Sequence, residues 1–337
     1  MRTRSILFGT LIVALLAGVY VDSLVRDDVA DQRWRLDHES RLVKTGCGTV
    51  EYGVAGSGNP VLVVHGAGGG FDQGLDIAAV LGDRGFTLIA PSRFGYLRSP
   101  VPAAPTAEAQ ADVFSCLLRE LQLAPSMPVI GVSAGTSSAI QFCARHAAQC
   151  SALVLVAPVA GVAPIAAAPG ESTTAEPTPR PQPSVIGRWI IDHALRYDDV
   201  LWLAMRAFPA DLMQDLLGTP PADYARAAPQ EQQRVMATLH GLLPIGDRAA
   251  GLRLDSQPPA QLDPALLRGI GVPVLLVAAR NDGYGAAGVA RALAAAIPGA
   301  KLVEYPDGGH LLVGHHLEAW IAVEEFLRAL PACGTST

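Results

Sequence analysis

A chain of 337 residues that is 50% hydrophobic has the material for one large α/β domain with an insertion, or for two domains. Its formal net charge of -6 provides no basic field to meet phosphates and argues against a nucleic-acid partner. Aromatic residues are only 6%, so the core must be largely Ala, Leu and Val.

In chain order, residues 1–24 read as a targeting segment. Arg2 and Arg4 precede an apolar run from Ile6 to Val21, and the acidic Asp22, Asp27 and Asp28 follow. The run is near the lower limit of about 17 residues for a spanning helix and long for a signal-peptide core, with no clear A-x-A site behind it. The basic residues set the N-terminus in the cytoplasm. The expectation is an uncleaved membrane anchor with the body of the chain on the extracytoplasmic side. The alternative is secretion after signal cleavage. Residues 25–46 are charged and polar and read as a linker.

The body spans 47–157 and 263–332. It opens with a short alternating strand, Thr49–Val54, and a turn at Gly56-Ser57-Gly58-Asn59. Pro60–Val64 is fully apolar, as suits a parallel strand buried on both faces. It runs into His65-Gly66-Ala67-Gly68-Gly69-Gly70 and a helix around 72–83. That loop lacks the phosphate-binding G-x-x-x-x-G-K-S/T and only loosely resembles a dinucleotide fingerprint. The competing reading is an oxyanion loop, in which the Ala67 N–H turns toward a nucleophile and His65 is structural. Phe86–Pro91 is another buried strand, followed by a loop with a turn at Gly95. A helix over 106–121 is capped by Thr106.

Met127–Ile130 leads into Gly131-Val132-Ser133-Ala134-Gly135, a G-x-S-x-G between a strand and a helix. This is the context of a nucleophile elbow, a turn so tight that the serine hydroxyl stands above the sheet. Side chains at Gly131 and Gly135 would collide with the neighbouring strand and helix, and the N–H of Ala134 is free to face a reacting carbonyl oxygen. The helix behind it ends near His146, and Leu153–Val156 is one more strand.

Residues 158–262 read as a Pro-rich hinge and a helical cap insertion. Seven prolines lie at 158, 164, 169, 177, 179, 181 and 183, so 158–183 is no core element. Residues 185–250 read as helices, with Trp189, Ile190, Trp202, Leu203, Met205, Phe208, Leu212 and Leu216 on apolar faces. The sheet resumes at Val272–Ala279 and ends in Arg280-Asn281-Asp282-Gly283. A helix covers 286–297. Lys301–Tyr305 is the last strand, ending in Pro306-Asp307-Gly308-Gly309-His310, and a closing helix runs over 311–330. The alternation predicts an α/β fold with a doubly wound, mostly parallel sheet.

Serine-based acyl transfer needs a hydroxyl, an imidazole to take its proton, a carboxylate to orient the imidazole, and donors for the oxyanion. In a parallel sheet these groups must project from the carboxyl ends of strands. Ser133, Asp282, His310 and Ala67 each follow a different strand. Asp255, Asp263 and Asp307 are rival acids, and Asp307 lies too close in sequence to His310 to reach its ring easily. His315 and His316 fall on the closing helix, and His193 and His240 lie in the cap without a strand-end placement. His146 ends a helix. Each candidate has a bland reading as well: Ser133 as a small turn residue, Asp282 as a helix cap, the cap's apolar stripe as simple packing.

With His65-Gly66-Ala67-Gly68, Gly131–Gly135, Ala279-Arg280-Asn281-Asp282 and Gly308-Gly309-His310, residues 48–330 resemble the α/β-hydrolase family. The resemblance implies a triad of Ser133, His310 and Asp282 and an oxyanion hole from the Ala67 and Ala134 N–H groups. It implies cleavage of a carboxylic ester through an acyl-enzyme, with an apolar acyl substrate suggested by the cap. Ala279 departs from the glycine many members carry there. The same groups serve C–C bond, lactone or N-terminal peptide hydrolysis and cofactor-free peroxidation, and a silent binding protein is the alternative of another class.

No cofactor or metal is called for, since H-E-x-x-H and clustered His, Asp and Glu are missing. The five cysteines, Cys47, Cys116, Cys143, Cys150 and Cys333, form no C-x-x-C and no zinc spacing. An odd count leaves at least one unpaired in a monomer. Export would allow one or two disulfides, with buried free thiols the equal alternative for Cys116 and Cys143.

Overall fold

The computed structural model describes residues 2–123, 126–162 and 193–330, and among the first fourteen residues the side chains of Phe8 and Ile12 alone. Among the described residues eight strands form one sheet: β1 (Ser40–Thr45), β2 (Gly48–Gly56), β3 (Asn59–Val64), β4 (Phe86–Pro91), β5 (Met127–Val132), β6 (Cys150–Val156), β7 (Val274–Ala279) and β8 (Lys301–Tyr305). Their order is β1-β2-β4-β3-β5-β6-β7-β8. The pairs β1–β2 and β2–β4 are antiparallel, and the others are parallel. The apolar runs Val61–Val64 and Val274–Ala279 are buried throughout, as central parallel strands require.

The helices are α1 (Arg2–Glu39), α2 (Phe71–Ile77), α3 (Ala79–Gly82), α4 (Ala107–Glu120), α5 (Thr136–Arg145), α6 (Asp198–Ala207), α7 (Pro209–Asp215), α8 (Pro221–Arg226), α9 (Pro229–His240), α10 (Ala249–Asp255), α11 (Pro264–Arg268), α12 (Ala286–Ala296) and α13 (His316–Arg328). One face of the sheet is covered by α4, α5 and α12, through Phe114, Ile140, Phe142 and Leu293. The other is covered by α2, α3 and α13, through Phe71, Leu81, Trp320 and Val323. Thr106 caps α4 as expected, its side chain accepting the Ala109 N–H at 3.1 Å.

Between β6 and β7, α6 to α10 make the helical cap, with a core of its own around Leu201, Met205, Leu212, Val235, Leu239 and Leu243. The helices α7, α8 and α9 each begin at a proline. Its missing N–H costs nothing in the first turn, and its fixed φ suits helix entry, so proline both ends one short helix and starts the next. Most of the Pro-rich 158–183 stretch, with Trp189 and Ile190, lies outside the described residues, and with it the expected hinge.

Residues 25–46 are a correction. They form no linker: α1 runs unbroken to Glu39, and 40–45 make β1, paired with β2 along its whole length. Val25 and Val29 pack into the cap core and Leu36 into the sheet core. Asp28 accepts the Trp202 indole N–H at 2.7 Å and lies 3.0 Å from His240 Nε2, while Arg33 donates to Asp247 at 3.0 Å and to Asp198 at 3.3 Å. Two of the charges that make this stretch read as a linker, Asp28 and Arg33, are bonded to the cap. Nearer the N-terminus, Phe8, Ile12, Leu15, Leu16, Val19 and Tyr20 are exposed. Among the described residues no helix is long and apolar enough to cross a membrane.

Four cysteines pair. Cys47–Cys116 joins the β1–β2 turn to α4, and Cys143–Cys150 joins α5 to the start of β6. The free-thiol alternative for Cys116 and Cys143 is thereby set aside. Cys333 lies outside the described residues.

Candidate active site

β5 ends at Val132, and Ser133 opens a short 3-10 turn that passes directly into α5. Ser133 sits at φ 50°, a left-handed conformation a non-glycine residue adopts only when its surroundings enforce it. The two flanking glycines provide that enforcement. A Cβ on Gly131 would lie 2.6 Å from the Ala139 Cβ of α5, and one on Gly135 would lie 2.5 Å from the Val64 carbonyl oxygen of β3. Helix and strand therefore close on the turn as the motif predicts.

The Ser133 hydroxyl donates to His310 Nε2 at 2.8 Å, and His310 Nδ1 donates to Asp282 Oδ2 at 2.7 Å. The other oxygen of Asp282 accepts the Tyr284 N–H at 2.6 Å, which fixes the carboxylate plane. The Tyr284 ring meets the imidazole edge to face, centroids 4.8 Å apart. Ser133, Asp282 and the His310 ring are nearly buried, each with under a tenth of its surface exposed. The three groups come from the ends of β5, β7 and β8.

The rivals are occupied elsewhere. Asp307 pairs with His315 at 2.8 Å, and Asp263 caps α11 through the Ala265 N–H at 2.7 Å. Asp255 is bonded to Arg93 and Tyr96. His240 faces Asp28, and His146 faces Asp112 at 2.8 Å. His316 is partly buried at the start of α13, and burial lowers its pKa to about 4. His193 lies just ahead of α6 in the chain.

Ala67 lies beside the serine in the loop after β3, where a Cβ on neighbouring Gly66 would approach the Ser133 Cβ to 3.0 Å. The Gly66 N–H is already committed to Gln73 Oε1 at 2.9 Å. Among the described residues neither the Ala67 nor the Ala134 N–H donates to a protein acceptor. Two unspent donors beside the serine hydroxyl suit an oxygen that gains charge.

A buried polar network holds this loop from below. His65 is structural, as expected: Nδ1 donates to the Gly66 carbonyl at 2.7 Å, and Nε2 accepts the Arg93 N–H at 2.9 Å. Burial, with Arg93 beside it, pulls its pKa well below the ordinary histidine value, so it stays neutral. The Tyr96 hydroxyl accepts the Gly68 N–H at 3.2 Å and donates to Asp255 of the cap. Burial, reinforced by Asp255, pushes that hydroxyl far up. Arg248 of the cap donates to the Gly69 carbonyl at 2.7 Å and pairs with Asp72 at the same distance, both side chains buried.

Sequence reasoning did not single out Arg93, Tyr96, Arg248 or Tyr284 for the site. Arg93 and Tyr96 stand in a loop that was noted for its turn, and nothing local marks Arg248. Among the described residues no group of His, Cys, Asp and Glu could hold a metal ion.

A doubly wound sheet with an elbow serine at the end of β5 is the architecture of α/β hydrolases. A family model for the alpha/beta hydrolase fold matches residues 59–316, and the chain belongs to that family. Membership supports hydrolase activity. An alpha/beta hydrolase fold protein from Nakamurella multipartita is 26% identical, with TM-score 0.64 over 86% of this chain and 99% of that one. A thermophilic esterase from Thermogutta terrifontis is 22% identical, with TM-score 0.60 over 86% and 98%, a likeness of fold. An uncharacterized hydrolase, YcgS, of Bacillus subtilis (strain 168) is 33% identical over 108 residues, 32% of this chain and 37% of that protein. The match thus spans a little over a third of that relative's length.

Proposed function

We propose that the protein is a serine hydrolase that cleaves carboxylic esters through an acyl-enzyme on Ser133. The observation that carries the reading is the unbroken hydrogen-bond chain from Ser133 Oγ through His310 to Asp282. His310 Nε2 takes the hydroxyl proton as Oγ bonds to the carbonyl carbon. The carbonyl oxygen gains the charge and faces the Ala67 and Ala134 N–H groups. As the tetrahedral species collapses, the C–O bond to the alcohol breaks and His310 returns its proton to the leaving oxygen. Water, deprotonated by His310, then releases the acid and restores Ser133. Asp282 keeps the proton on Nδ1, so that Nε2 is the acceptor, and stabilises the imidazolium. None of these steps calls for a cofactor.

Leu242 and Leu252 of the cap lie against Gly68, with 2.7 and 3.9 Å between their Cδ2 atoms and a Cβ built there. An apolar wall beside the oxyanion loop supports an apolar acyl group.

Labelling by a fluorophosphonate tests the reading. Wild type should label and Ser133→Ala should not, with turnover of p-nitrophenyl esters lost in the variant and rising in wild type with acyl length. Well-folded wild type that does not label would refute the mechanism, and a flat or charge-preferring acyl profile would refute the apolar pocket.

The proposed setting is the extracytoplasmic side of a membrane, held through the first half of α1. The exposed Phe8, Leu15, Leu16, Val19 and Tyr20 support it, as do two disulfides, which persist in oxidising compartments. The full chain should sediment with membranes through a carbonate wash, and a chain starting after residue 24 should not. Release of both alike would sink the anchor.

A further inference from the structure

Two glycines at positive φ, Gly308 (105°) and Gly309 (61°), precede His310. Such a stretch has no intrinsic preference for the conformation that aims an imidazole at Ser133. Hydrogen bonds must impose it, and their acceptors can be named. Gly308 N–H donates to Asp223 Oδ2 at 3.0 Å, Gly309 N–H to Asn281 Oδ1 at 2.9 Å, His310 N–H to the Gly218 carbonyl at 3.1 Å, and Leu311 N–H to Thr219 Oγ1 at 3.3 Å. Gly218, Thr219 and Asp223 all belong to the cap. The remaining acceptor, Asn281, is itself held there, its Nδ2 donating to Asp223 Oδ2 at 2.7 Å.

The acid turn is tied to the same stretch. The Gly218 carbonyl also accepts the Gly283 N–H at 2.9 Å, and the Tyr284 hydroxyl donates to the Leu216 carbonyl at 2.7 Å. Asp282 is therefore flanked by Asn281 and Gly283, both bonded to the cap. The backbones fit closely: a Cβ on Gly309 would lie 2.6 Å from Thr219 Cα, and one on Gly283 would lie 2.9 Å from Gly218 Cα. Asp223 is buried, with three donors converging on it: the Asn281 amide, the Gly308 N–H and Arg226.

We propose that the cap turn over residues 216–223 is the template that sets His310 against Asp282, with Asp223 and Asn281 as positioning residues. The Ser133 proton relay is then assembled only while the cap is seated. The cap is part of the catalytic frame rather than a cover over a finished site. The proposal rests on the triad reading given above. Misplacement of a catalytic group by about 1 Å costs on the order of 100-fold in rate.

The test compares Asn281→Ala and Asp223→Ala with wild type, each enzyme counted by fluorophosphonate titration of Ser133. Both variants should lose roughly 10- to 100-fold in kcat, with KM changed less than about twofold because ground-state binding is untouched. Asn281→Ala replaces neutral by neutral, so no charge is added to or removed from the surroundings of His310. The acid limb of its pH profile should move to lower pH, since an imidazolium no longer aligned with Asp282 forms less readily. Folded variants with wild-type kcat overturn the proposal. A lower kcat with an unmoved acid limb in Asn281→Ala also overturns it, because that marks a merely structural contact. Wild type that fails to label defeats the triad reading instead.

Discussion

Ser133 stands on a strained backbone at φ 50°. A non-glycine residue at positive φ costs on the order of 1–3 kcal/mol, held in place here by the contacts around Gly131 and Gly135. Those contacts were legible in the sequence because the demand for small residues is local. His65 and His316 carry a different kind of cost. Both have pKa values below the ordinary histidine range, His65 through full burial beside Arg93 and His316, at about 4, mainly through burial. Each is neutral when folded and takes up a proton more readily when unfolded. The unfolded state therefore binds more protons between pH about 6.5 and 4, and stability falls as pH falls through that window. Thermal midpoints measured from pH 7.5 to 4.5 should decline accordingly. His316→Gln, neutral throughout, should flatten part of the slope. An unaltered slope in that variant would show that His316 is not among the groups responsible.

The buried parallel strands declare themselves as continuous apolar runs, and β4 and β8 lie where the sequence sets them. β1 does not, and the reason is its place at the sheet edge. Arg41, Leu42 and Lys44 of this strand are exposed, and its charged side chains are what an edge strand needs to discourage pairing with another chain. Such a strand reads as loop. One disulfide ties down the turn that leaves this edge strand, and the other joins α5 to the central strand β6. Cys47–Cys116 spans a sequence separation of 69 and Cys143–Cys150 one of 7. Loop-closure entropy assigns them about 4 and 2.5 kcal/mol respectively. Cys47→Ser with Cys116→Ser should therefore lower the thermal midpoint more than Cys143→Ser with Cys150→Ser. The reverse order, measured under non-reducing conditions, would show that the edge bridge contributes little.

At the scale of the molecule, groups nearly 250 residues apart in sequence meet because the parallel strands β3, β5, β7 and β8 deliver their carboxyl ends to one edge. That convergence is why Ala67, Ser133, Asp282 and His310 were legible together. The acceptors for the histidine loop were not. Gly218, Thr219 and Asp223 work through a carbonyl, a hydroxyl and a carboxylate aimed at backbone N–H groups of a distant loop. Contacts of that type leave no periodicity and no spacing in the chain. The cap core was visible as apolar residues, but its bearing on the site was not.

One consequence of α1 reaches beyond the site. Its 38 residues, at 1.5 Å each, make a rod about 57 Å long. Its far half is riveted to cap and sheet by Val25, Val29, Leu36, Asp28 and Arg33. A flexible tether lets an enzyme tumble at the end of its leash. A rod built into the body works as a mast: whatever grips residues 8–20 also sets the tilt and the height of the sheet and cap that the other half is fixed to.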